Sequence, residues 1–106
     1  MEELQMYANK IAFLLRVRYE LISADVDLTR SVEELDSALL SFCEKMLKEF
    51  HIFSPEMYEL FYRFFWPVLS VDEEWKEAKN KFGKDFDFTE EYLREILEER
   101  IDFNTL

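Results

Sequence analysis

The chain has 106 residues, with 24 Asp and Glu against 13 Lys and Arg, a net charge of −11, and 11 Phe, 5 Tyr and 2 Trp. This length makes one domain, and the apolar fraction of 49% is enough for a core, which argues against disorder of the whole chain. The acidic excess disfavours direct binding to nucleic acid or to an anionic membrane surface and favours basic partners.

A single cysteine, Cys43, cannot form an internal disulfide or a zinc site alone. Met1-Glu2-Glu3 puts acids where a signal peptide carries lysines, and the longest apolar run, Phe64 to Leu69, is far short of the ~20 residues that span a bilayer. These features predict a cytoplasmic protein. Gly83 is the only glycine, and sheets need glycine at their tight turns. The predicted fold is all-α: a compact single-domain bundle of about five helices with short loops over residues 1–106, with the tail 102–106 frayed.

The first helix is predicted from Glu2 to Leu21 or Ile22. Leu4, Ala8, Ile11, Leu15 and Ile22 recur at helical spacing, and Phe13, Leu14, Val17 and Leu21 widen the face. After a loop from Ser23 to Arg30, Ser31-Val-Glu-Glu34 reads as a capping box. It opens a second helix to about Phe50, with Val32, Leu35, Leu39, Phe42, Met46 and Phe50 inward. Glu44 and Lys48 form a favourable i,i+4 pair.

Ser54-Pro55 starts the third helix, with serine as cap and proline where its missing N–H costs nothing. From Met57 to Leu69, only Glu56, Glu59 and Arg63 make a polar wedge, and the rest of the circumference is apolar. Such a helix is central in the fold, or its second face meets another chain. Pro67 should end or kink it. Ser70-Val-Asp-Glu73 reads as a second capping box. The fourth helix then runs from about Val71 to Phe82, with Trp75, Ala78 and Phe82 on one face and Gly83 as the stop. Acids lead and lysines follow in this helix, as its dipole favours. Asp87 or Thr89 caps a last helix to about Ile101, with Tyr92, Leu93, Ile96 and Leu97 facing in.

Asp25, Asp27, Thr29, Ser31, Glu33 and Asp36 fall at the first, third, fifth, seventh, ninth and twelfth positions of a loop that resembles an EF-hand calcium loop. Arg30 stands where that loop needs glycine, and Asp36 is shorter than its closing glutamate. The second copy of the motif, at Asp85 to Thr89, has Ile96 at the closing position. Polar stabilisation of helix entries is the preferred reading, and no metal is expected. His51, the only histidine, stands at a helix end, where a positive imidazole suits the dipole. Cys43 reads as core filler. One glycine cannot build a phosphate loop, and no nucleophile–base pair is legible. No enzyme activity and no cofactor are expected.

Two surfaces stand out. On the last helix Glu91, Glu95, Glu98 and Asp102 lie within about 60° of one another, with Glu99 flanking. This row reads as negative charge offered to a basic groove, in imitation of a phosphate backbone. In the third helix, Tyr58, Tyr62 and Trp66 belong to a dense aromatic run and are candidate apolar anchors. The expected function is an acidic inhibitory binding protein (an immunity protein, an antitoxin or a phage-type inhibitor) that captures a basic, nucleic-acid-binding protein such as a nuclease. The alternative is a helical assembly subunit or adaptor that forms a homo- or hetero-oligomer through the aromatic third helix.

Overall fold

A computed structural model describes residues 2–24 and 29–106. They form α1 (Glu2–Ser23), α2 (Thr29–Glu49), α3 (Pro55–Ser70) and α4 (Glu73–Phe82), a 3-10 turn (Gly83–Asp87), and α5 (Phe88–Glu95), which runs on as a π turn (Ile96–Arg100). The class is all-α, and no strand occurs among the described residues. No helix among them is long and apolar enough to cross a membrane.

α1 is the hub and packs against α2, α3 and α4, while the π turn reaches back to α2. Its buried face is Leu4, Tyr7, Ala8, Ile11, Ala12 and Leu15, an i, i+3, i+4 pattern. Tyr7 and Ala12 take the places expected of Phe13 and Ile22, both of which are exposed. Phe13 leans toward solvent beside Arg16, whose guanidinium lies 5.7 Å from its ring centre. Arg16 also reaches Glu74, at 3.1 Å, and Glu77, so it pins α1 to α4.

α2 begins at Thr29, so Ser31 and Glu34 lie inside the helix and the predicted capping box is not formed. Of the candidate calcium loop, Asp25 and Asp27 lie outside the described residues. Ser31, Glu33 and Asp36 ride on α2, and Asp36 is held by Arg18 at 2.7 Å. α2 ends in a Schellman turn. The amide of Ile52 donates to the Leu47 carbonyl at 2.8 Å, and that of His51 donates to Lys48 at 3.1 Å. His51 is the left-handed residue of this turn, at φ 58°. Ile52 and Leu47, which the first of these bonds joins, are both buried in the core cluster.

α3 starts as expected: Ser54 accepts from the amide of Met57 at 3.3 Å, with Pro55 in the first turn. Pro67 does not end it, and the helix continues to Ser70. Arg63 and Pro67 are both exposed, so the carbonyl that loses its bond faces water, where that loss costs least. α4 is capped by Asp72, not Ser70. The Asp72 carboxylate accepts from the amide of Glu74 at 2.9 Å, and the helix proper begins at Glu73. Gly83 ends it at φ 66°, ψ −146°, a backbone state that favours glycine.

The aromatic residues are mostly structural. Ring contacts run from Tyr7 to Phe50, Phe61, Phe65, Tyr62, Trp66, Trp75, Phe86 and Tyr19, at centroid separations of 4.7 to 6.5 Å. This chain of rings links α1, the α2–α3 turn, α3, α4 and the 3-10 turn through one cluster. In the tail, Phe103 and Leu106 are partly buried against that cluster.

Candidate functional site

α5 grows directly out of the 3-10 turn. Asp87 occupies the capping position but makes no side-chain cap bond, and Thr89 lies inside the helix with its side chain buried. Neither supplies the predicted cap. Because the preceding turn already donates and accepts helically, a polar side-chain cap is not needed. Leu93, Ile96 and Leu97 are buried and fix which way α5 faces. Its outer face then carries Phe88, which is 67% exposed, with Glu91 and Glu95. At 100° per residue these three fall within about 60° of one another.

Beyond Glu95 the helix widens, and Ile101 donates to the Ile96 carbonyl at 3.2 Å, an i to i+5 bond. Each residue of such a turn advances by less than in an α-helix. Glu99, rather than Glu98, therefore continues the line of Glu91 and Glu95. Glu98 is exposed but pairs with Arg94 at 3.4 Å. Asp102 has left the helix. Its carboxylate accepts from the amide of Asn104 at 2.9 Å, and its carbonyl from the Thr105 hydroxyl at 3.0 Å. The predicted row is thus three acids long, Glu91, Glu95 and Glu99, with Phe88 at its head. Phe88 was missed in the sequence because it stands in what reads as a connector.

The basic residues beside this row are turned toward tyrosines. The Arg94 guanidinium lies 5.2 Å from the Tyr62 ring centre, and Arg100 lies 5.7 Å from that of Tyr92. Arg18 covers Tyr92 at 3.7 Å while it holds Asp36. Each arrangement is of cation–π type.

Tyr58, Tyr62 and Trp66 do not form an exposed anchor. Tyr58 is buried, and Tyr62 and Trp66 are half-buried. The Tyr62 hydroxyl donates to Glu90 at 3.0 Å, which ties α3 to α5. Trp66 stacks on Tyr62 and meets Trp75 edge-on at 5.4 Å. Burial pushes the Tyr58 phenol up to about 12. Burial, then the charge of Glu90 and the bond to it, push Tyr62 up further. Both phenols are neutral around pH 7 and serve the interior.

The outward side of α3 is what the polar-wedge reading left open. Phe53, Met57, Leu60, Phe64, Pro67 and Val71 are exposed, Phe64 at 70%. They repeat in steps of four and three, the spacing of a helix-pairing seam. α3 is therefore not central; its second face looks outward. That spacing was present in the sequence, but the interleaved aromatics masked it. The seam ends near a shallow groove where Met6 of α1 approaches Pro67, Val68 and Val71.

The residues with reactive side chains are quiet. Cys43 is fully buried, and burial, with Glu44 nearby, pushes its thiol up to about 12, so it carries almost no thiolate near neutrality. His51 is engaged through its backbone in the turn after α2. The described residues contain no group of three or more His, Cys, Asp or Glu placed to share a metal ion. No protein-family model matches this chain, and no curated protein and no solved structure matches it either.

Proposed function

We propose that this chain is an acidic, non-catalytic binding protein of the inhibitor type, which captures a basic protein partner through the outer face of α5. The observation that carries the reading is the row Glu91, Glu95 and Glu99 headed by the exposed Phe88 on one helix face. Carboxylates repeated along a helix present regularly spaced negative charge, which a phosphate-binding groove is built to receive. Long-range attraction by a body of charge −11 speeds encounter with such a groove. Phe88 supplies the desolvated contact that holds the complex once formed.

The test is capture from native-host extract with the purified protein as bait, followed by mass spectrometry. The wild-type chain should enrich a basic protein, and the triple variant Glu91→Lys, Glu95→Lys, Glu99→Lys should lose it while remaining helical. Retention of the same partner by that variant would remove α5 from the reading. A second reading, a helical assembly subunit, is favoured by the exposed seam on α3.

A further inference from the structure

We propose that the outward face of α3 is a contact between two copies of this chain, packed antiparallel with Leu60 at the two-fold axis. Three observations converge on it. First, Met57, Leu60, Phe64 and Pro67 are exposed on α3 and repeat every three or four residues, so they form one stripe along the helix, with the exposed Phe53 and Val71 just beyond its two ends. Second, one flank of the stripe carries Glu56 and, a heptad later, Arg63, both exposed. Third, Met6 of α1 lies beside the end of the stripe and extends the apolar surface past α3.

The flank charges select the occupant and its direction. In an antiparallel pair the same flank of each helix meets, with its order reversed. With Leu60 facing Leu60, Glu56 falls opposite Arg63 of the second copy, and Arg63 opposite its Glu56. Met57 then meets Phe64. One acid and one base at this spacing on a single edge are complementary to themselves reversed. In a parallel pair that flank faces the opposite flank of the other helix, where Phe61 and Val68 stand, and both charges lose their partners. Glu59 is turned about 100° from Leu60 and stays outside the contact.

The global charge opposes this contact. Two bodies of charge −11 repel, so apolar pairing should tighten as salt is added. Capture of a basic partner at α5 weakens with salt, so the two events separate cleanly. The inference does not rest on the α5 reading, because the α3 stripe and the α5 row share no residue.

Sedimentation equilibrium over a roughly hundredfold concentration range tests it, at low and at high salt. The wild-type chain should show a monomer–dimer equilibrium that shifts to dimer with salt. Leu60→Glu and Phe64→Glu, both at exposed positions, should keep the helical circular-dichroism signal and weaken the dimer about tenfold or more. Glu56→Lys alone and Arg63→Glu alone should each weaken it roughly three- to tenfold, and the two together should restore it. A monomer at every concentration would overturn the proposal. A dimer indifferent to Leu60→Glu would place the contact elsewhere, and failure of the double charge exchange to restore association would overturn the antiparallel pairing.

Discussion

Single residues in this protein are spent on joining helices. Tyr62 shows how: it sits on α3, donates to Glu90 of α5 and carries Arg94 over its ring. Tyr62→Phe keeps the ring and removes the hydroxyl, and leaves Glu90 half-buried without its donor. The expected loss is about 1 kcal/mol, read from urea unfolding. A loss near zero would mean that water replaces the bond. Cys43 sets a pH limit. Its thiol moves from an ordinary 9.0 to about 12 in the folded chain. A thiol raised on folding stabilises the native state fully below its unfolded value, and that contribution is lost as pH climbs toward the folded one. Stability should therefore fall between pH 9 and pH 12, with the buried Tyr58, also raised to about 12, contributing over the upper part of the range. Cys43→Ala should remove part of that slope, on the order of a few kcal/mol over the window. Parallel pH–stability curves for the two proteins would contradict the assignment.

At the scale of elements, the helix ends carry the corrections. Asp72, and not Ser70, caps α4. Asp72→Ala should cost about 1 kcal/mol and Ser70→Ala a few tenths at most, compared by thermal or urea unfolding. Equal effects would return the cap to Ser70. The turn after α2 makes the opposite prediction. His51 holds φ 58°, where a side chain costs energy that glycine does not pay. His51→Gly should stabilise the protein by about 1 kcal/mol, provided that the imidazole makes no compensating contact beyond its edge-on approach to Phe53 at 5.9 Å. A destabilised variant would show that the side chain matters in its own right. The π turn also acts at this scale, because it sets which glutamate lines up with Glu91 and Glu95.

At the scale of the molecule, charge and apolar surface occupy different faces. α5 offers carboxylates with one phenylalanine; α3 offers an apolar stripe with one acid and one base beside it. Added salt should act on them in opposite directions, weakening binding at α5 and strengthening pairing at α3, each followed by sedimentation or by biosensor kinetics. A common salt response would mean that the two faces work as one surface.

Helix existence and type were legible from periodicity, from Ser54-Pro55 and from Gly83, because those signals act within a few residues along the chain. Composition by itself determined the all-α class and the acidic character. The inward residues of α2 and α5 were largely legible for the same reason. What only the tertiary structure decided is which of two apolar faces turns outward. Tyr58 and Phe65 point in and Phe64 points out because α1, α4 and α5 occupy one side of α3, and no local pattern states where those neighbours stand. The π turn and the departure of Asp102 from its row are likewise not stated by helical spacing. Packing sets where a helix can begin and end, and sequence spacing alone projects an ideal helix that continues.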